Sequence, residues 1–222
     1  MKTKLKIPER KSIHKNIVKW RTRSLRTKIF IVVLSFIALA SLLVLHLPYI
    51  PRWRYLIFKP KINAVHYQQA AQNTKKKDSA TPLPQEVKKG NRLVLPQIGV
   101  NAEIIEGRDI YVIGKNQGVW RETSNIDPTK DGNIVIAGHR FLYTAANGGY
   151  FYNLPEIKNG DKIYIQWSNK VFEYQVYNTR TVLPTQIDIR DPDPQVPKKL
   201  TMYTCYPLGS TAKRFVIEAK QL

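Results

Sequence analysis

Nineteen consecutive residues, 29–47 (IFIVVLSFIALASLLVLHL), contain no acid, lysine or arginine, and two serines and one histidine are their only polar members. Wound as a helix at 1.5 Å per residue they extend about 28 Å, the thickness of a bilayer's hydrocarbon core. A helix buried in a soluble domain normally keeps a polar stripe, and this run has none. The segment is therefore expected to cross a membrane once. A cleaved signal peptide would end in small residues, whereas His-Leu-Pro-Tyr-Ile-Pro-Arg closes this stretch. The expectation is a retained anchor.

Charge divides the chain nearby. Of the 222 residues, 1–90 hold 20 lysines and arginines against 3 acids, and 91–222 hold 16 against 13. A nucleic-acid-binding domain carries its basic patch on the folded part. Here the excess lies on the N-terminal part, and no nucleic-acid partner is expected. Six basic residues crowd the near side of the apolar run (Lys15 to Lys28) and four the far side (Arg52 to Lys61). This bias predicts a cytoplasmic N-terminus and an extracytoplasmic remainder. The basic tail either lies on anionic head groups or is simply solvated. Residues 59–90 are rich in Lys, Gln, Asn and Pro and poor in large apolar side chains, a composition unable to order itself by burial. The organisation expected is a basic tail (1–28), a transmembrane helix (29–47), a linker (48–90) and a folded domain (91–222). Within the linker, INAVHYQQAAQ has the makings of a short helix, and His66 there reads as solvated.

From Arg92 onward, short runs of β-branched and aromatic residues alternate with Gly, Pro, Asn and Asp. Strands are predicted at 92–96, 100–105, 109–113, 133–138, 162–167, 171–182, 200–205 and 214–220, with a short helix near 150–154. Strands at this spacing without helical periodicity between them indicate an all-β domain of about 130 residues, closed or sandwiched. Nothing repeats, and no glycine-rich stretch has phosphate-loop spacing.

Cys205 is the only cysteine in the chain, so no internal disulfide is open to it. Two readings stand. One is a buried thiol acting as a small apolar residue. The other is a nucleophile, which needs a base or cation nearby and a group to hold an oxyanion. Cys205 ends a predicted strand and a Tyr-Pro-Leu-Gly turn follows. His139, the one histidine of the β domain, ends another strand in Ala-Gly-His-Arg. Arg214 opens the last strand, so an antiparallel return would bring it back to Cys205. Its guanidinium stays charged and can donate two bonds to one carbonyl oxygen.

The combination N-I-V-I-A-G-H at 133–139, T-x-x-T-C at 201–205 and Arg214 before F-V-I-E-A resembles the sortases. The resemblance extends through LVLPQIGVNAEIIEG (93–107), GVWRETSNIDPTKDGN (118–133) and YFYNLPEIKNGDKIYI (150–165), and also takes in the membrane anchor. Met202 departs from the leucine more usual there, a swap of similar volume. The resemblance implies an eight-stranded sortase-like β-barrel with one or two short helices and a cysteine transpeptidase activity. By position it implies Cys205 as nucleophile, His139 as proton donor and acceptor, and Arg214 as oxyanion support. Thr204, beside the nucleophile, is implied to shape the substrate pocket. The partners implied are secreted proteins bearing an LPxTG-like C-terminal sorting motif, and an amine acceptor on cell-wall precursor or on a pilin-like subunit.

The connection 183–199 (LPTQIDIRDPDPQVPKK) carries four prolines and reads as a semi-rigid loop beside the Cys strand. It is expected to set motif choice. Arg140 and Arg180 are the competing arginines. One Cys and one His make no closed zinc site, scattered acids such as Glu103 and Glu106 give no ligand spacing, and neither metal nor cofactor is expected. Two other classes remain open: an extracytoplasmic cysteine peptidase that only hydrolyses, and a membrane-anchored β binding module.

Overall fold

A computed structural model describes residues 24–46, 57, 61–76, 90–113, 118–122, 124, 126–140 and 150–222. The chain divides into two units, Met1–Pro48 and Tyr49–Leu222. In the first, α1 runs over Leu25–His46. Ser24 starts it by accepting a hydrogen bond from the Thr27 amide at 3.3 Å, satisfying one of the amides that have no partner inside the helix. Leu25–Leu45 is long and apolar enough to cross a membrane, with a mean hydropathy of 2.7 and none of it buried within the protein. The hydroxyl of Ser41 donates to the Ile37 carbonyl at 2.8 Å, so a polar group on this face is satisfied inside the helix itself. Leu47, the last residue of the expected span, lies outside the described residues.

The second unit is a closed barrel. Its strands are β1 (Arg92–Leu95), β2 (Val100–Gly107), β3 (Val119–Glu122), β4 (Gly132–Ala137), β5 (Lys162–Trp167), β6 (Lys170–Val182), β7 (Lys198–Tyr206) and β8 (Lys213–Gln221). Around the barrel the order is β1-β2-β3-β4-β7-β8-β6-β5. Closure leaves no free sheet edge. Two neighbouring pairs, β2 with β3 and β4 with β7, are parallel; the others are antiparallel.

Alternation sorts the faces. Ile134 and Ile136 on β4, Ile163 and Ile165 on β5, and Leu200 and Met202 on β7 point inward and join one core with Leu93, Phe151 and Tyr174. Each such side chain contributes roughly 1.5–3 kcal/mol by burial. Val94, Tyr164 and Val171 point outward yet are buried, because a second helix covers them.

That helix, α2 (Val65–Lys75), lies within the stretch read as a linker, where a short helix was expected at INAVHYQQAAQ. Its few apolar residues fall at helical spacing, and Tyr67, Ala70 and Ala71 pack on Val94, Tyr164 and Val171. The Tyr67 hydroxyl accepts from Asn101 Nδ2 at 2.8 Å, and the Val171 amide donates to Thr74 Oγ1 at 3.2 Å. Composition predicted no ordered surface here because it counts apolar residues without regard to which face they share.

One predicted strand is wrong and one was missed. Residues 109–113 form a 3-10 turn, Ile110–Ile113, started by Asp109 Oδ1 accepting from the Tyr111 amide at 2.9 Å. Tyr111 is 82% exposed. The strand falls instead at β3, Val-Trp-Arg-Glu. Val119, Trp120 and Arg121 are all buried there, so no alternation marked it. The short helix expected near 150–154 is a 3-10 turn at Leu154–Glu156.

Candidate active site

The parallel pairing of β4 and β7 brings their C-terminal ends to the same rim, with Ala137 opposite Tyr203 as the last ladder pair. The Gly138 amide continues the pattern by donating to the Tyr203 carbonyl at 3.3 Å. Carried two residues on, that register sets His139 level with Cys205. Gly138 is tightly enclosed: a Cβ there would sit 2.7 Å from the ring of Phe151. Its carbonyl accepts from the buried Thr204 hydroxyl at 2.7 Å, so Thr204 ties the two strand ends together.

On the other side of β7, the antiparallel ladder makes Arg214 the direct partner of Cys205. Cross-strand partners project to the same side of a sheet. Arg214 is held at the turn by Nη1, which donates to the carbonyls of Thr211 at 2.9 Å and Lys213 at 3.0 Å. Its Nη2 and Nε make no hydrogen bond to the described residues.

His139, Thr204, Cys205 and Arg214 line one cleft of about 460 Å³. Cys205 is a free thiol and half-buried, at the rim rather than in the core. Burial lowers the pKa of His139 below the ordinary 6.5, since the charged imidazolium is the costlier form to desolvate. The arrangement therefore offers a reachable thiol, an imidazole favoured in its neutral form at pH 7, and a fixed cation.

Arg140 and Arg180 do not line this cleft. Arg140 is buried, its Nε donating to the Tyr152 carbonyl at 2.9 Å, with its guanidinium 5.5 Å from the Tyr206 ring centre. Arg180 pairs with Glu218 at 3.4 Å and Asp188 at 3.7 Å. Two arginines that sequence reasoning passed over, Arg108 and Arg190, do line it; Arg190 lies 3.6 Å from Glu122. So do the floor residues Trp120 and Tyr203 and the walls Tyr111 and Ile187. Tyr203 could have been found from Cys205, since residues two apart on a strand share a face. Trp120 lay on the unrecognised strand. Among the described residues no group of three or more His, Cys, Asp or Glu is arranged to hold a metal ion. Glu106 pairs with Arg121 instead.

The Sortase domain family model matches residues 93–222. Sortase D of Bacillus subtilis (strain 168) is 26% identical over 149 residues, covering 66% of this chain and 70% of that protein. Sortase A of Staphylococcus aureus (strain NCTC 8325 / PS 47) is 33% identical over 90 residues, 40% of this chain and 42% of that one. Among solved structures, a lid mutant of sortase A from Corynebacterium diphtheriae superimposes with a TM-score of 0.53 at 26% identity, over 70% of this chain and 91% of that chain. Sortase E1 from Streptomyces coelicolor, solved with a tripeptide in its active site, has a TM-score of 0.53 at 21% identity, over 61% of this chain and 88% of that chain.

Proposed function

This chain belongs to the sortase family, whose members are cysteine transpeptidases, and from that we propose that it cleaves an LPxTG-like C-terminal sorting motif of secreted proteins and transfers the acyl part to an amine. Cys205 passes its thiol proton to His139 as Sγ bonds to the scissile carbonyl carbon. Arg214 donates to the oxygen as it becomes an oxyanion, a stabilisation strongest in a site shielded from water. The C–N bond breaks, and His139 gives a proton to the departing amine. An incoming primary amine then bonds to the thioacyl carbon, its proton passes to His139, and Cys205 leaves as thiolate. Thr204 holds the end of β4 against β7 and shapes the pocket beside the nucleophile. The acceptor is an amine of cell-wall precursor or of a pilin-like subunit. The apolar α1 anchors the enzyme as a single-pass protein of the cell membrane, N-terminus cytoplasmic and barrel extracytoplasmic, an orientation supported by the excess of basic residues before the span.

The observation that carries this reading is the convergence of His139, Cys205 and Arg214 on one cleft from three adjacent strands. The test uses the full chain in detergent with LPxTG-like peptides and oligoglycine, followed by mass spectrometry. A Cys205 thioacyl adduct that yields ligated product, both lost in Cys205→Ala, is expected. An adduct yielding only free acid would mean a hydrolytic peptidase. A thiol that takes no peptide and resists alkylation in the folded protein would leave a binding module.

A further inference from the structure

The proline-rich connection 183–197 lies over the outer face of β4 and β7, and its middle forms the 3-10 turn Ile187–Arg190. This turn is a wall of the cleft: Ile187, Ile189 and Arg190 line it, and the buried Ile189 side chain packs on Val182, Val216 and Tyr203. On its other side the connection borders a second hollow of about 720 Å³ between Ile126, Asn133 and Pro194. Polar ties of very different quality hold the turn in place. The ion pairs Arg190–Glu122 at 3.6 Å and Arg180–Asp188 at 3.7 Å join partly or largely exposed side chains and contribute little. The remaining tie is buried. Asn133 on β4 points its amide into the underside of the turn, and Nδ2 donates to the carbonyls of Ile189 at 3.0 Å and Asp191 at 3.1 Å. Its Oδ1 accepts from the Thr201 hydroxyl at 2.9 Å. Thr201 is fully buried, so that bond steadies the Asn133 side chain, while the two turn carbonyls, which can only accept, fix which way its amide faces.

We propose that Asn133, steadied by Thr201, is a positioning residue that sets the height of the Ile187–Arg190 turn above the β4–β7 floor and thereby the grip on the sorting peptide. The inference rests on the transpeptidase reading and gives it a specificity element outside the reacting groups. The buried Ile189 carbonyl and the part-buried Asp191 carbonyl together take both N–H donors of one carboxamide, so an aspartate of equal size fails them and turns negative charge toward them. Cys205, His139 and Arg214 make none of these contacts, so the chemistry is left in place when the clamp is cut.

The test compares wild type with Asn133→Asp, Thr201→Val and Thr201→Ser in the full chain in detergent. Three readouts are taken: KM and kcat for thioacyl formation on an LPxTG-like peptide, the alkylation rate of Cys205 by iodoacetamide, and hydrogen exchange of amides 187–191. Asn133→Asp is expected to raise KM by about 10-fold or more, the scale of one or two buried hydrogen bonds, with kcat within about 3-fold. Alkylation stays at the wild-type rate and amides 187–191 exchange faster. Thr201→Val gives a smaller KM rise of about 3-fold, and Thr201→Ser, which keeps the hydroxyl, restores wild-type behaviour. A folded Asn133→Asp with unchanged KM overturns the proposal. So does a loss in kcat and alkylation together, which would make Asn133 a general support of the site. Should Asn133→Asp not fold, the Thr201 pair decides: equal KM for Val and Ser removes the clamp. If wild type itself acylates with no peptide, the transpeptidase reading falls, while unchanged exchange at 187–191 in the variants would separately refute the clamp.

Discussion

Cys205 and Arg214 are direct partners across the β7–β8 ladder, and Arg214 is pinned through Nη1 to the Thr211 and Lys213 carbonyls. The cation is thus fixed by backbone pairing on one side and by the turn on the other, before any substrate arrives. A fixed donor needs no reorganisation as charge develops, which is where such groups have their largest effect.

Replacing Arg214 should therefore damage the acylation step itself. Arg214→Ala is expected to lower kcat for thioacyl formation by about 10²–10³-fold, the usual scale for loss of an oxyanion donor. Arg214→Lys should recover only a small part, since an ammonium has no planar fork to satisfy two turn carbonyls and a substrate oxygen together. Stopped-flow or quenched mass spectrometry of the adduct measures this. A lysine variant at wild-type rate would show that charge alone suffices.

Burial lowers the pKa of His139, so its proton leaves more readily in the folded chain than in the unfolded one. The unfolded state binds more protons between the folded pKa and 6.5, so the corresponding stability is fully present above pH 6.5 and is lost as pH falls through the folded value. The ring titration of His139, followed by NMR against a His139→Gln control, is expected to have its midpoint below 6.5. A midpoint above 6.5 would mean that a charge partner outweighs desolvation.

The candidate site was legible in the sequence because its members sit where strands end, and strand ends are marked by turn residues: Ala-Gly before His139, Tyr-Pro-Leu-Gly after Cys205. Beyond the antiparallel return of the last strand, the sequence did not show which strands lie side by side. The parallel β4–β7 pairing joins residues more than 60 apart, and no local pattern encodes it. β3 was missed because the barrel buries Val119, Trp120 and Arg121 alike, which erases the period of two that identifies a half-exposed strand. Ile-Tyr-Val-Ile was misread for the opposite reason: its β-branched residues imitate a strand, while Asp109 caps a turn. The Asn133 clamp was invisible, since its acceptors are backbone carbonyls that any residue could supply.

The spacing of the strand ends that carry His139 and Cys205 also rests on one glycine. A Cβ at Gly138 would lie 2.7 Å from the ring of Phe151, which is wholly buried, so Gly138→Ala must displace either the ring or the strand end carrying His139. Overpacking of this kind costs about 1–3 kcal/mol. Thr204→Val removes the hydroxyl bonded to the Gly138 carbonyl and should cost about 1–3 kcal/mol for the acceptor left buried. Chemical denaturation measures both, and adduct formation should fall in both even where the protein remains folded. A Gly138→Ala protein with wild-type stability and rate would show that the rim tolerates a shift of His139.

The last consequence concerns α2. Its buried face covers Val94, Tyr164 and Val171, three outward-facing side chains that would otherwise present apolar surface to water. Tyr67 contributes most: it packs against Tyr164 with ring centres 6.0 Å apart and accepts from Asn101. Tyr67→Ala removes a large buried aromatic and should destabilise the barrel by about 3–5 kcal/mol, whereas Tyr67→Phe loses only the hydrogen bond, about 1 kcal/mol. A fragment beginning near residue 61 should accordingly melt well above one beginning near residue 85, although both contain every residue of the cleft. Peptide acylation at low temperature should be similar in the two, because α2 lies on β1, β5 and β6 while the cleft is built on β3, β4, β7 and β8. Equal melting temperatures would show that the helix lies on the barrel without stabilising it, and a loss of acylation at a temperature where both fragments are folded would show that α2 reaches the site through β6.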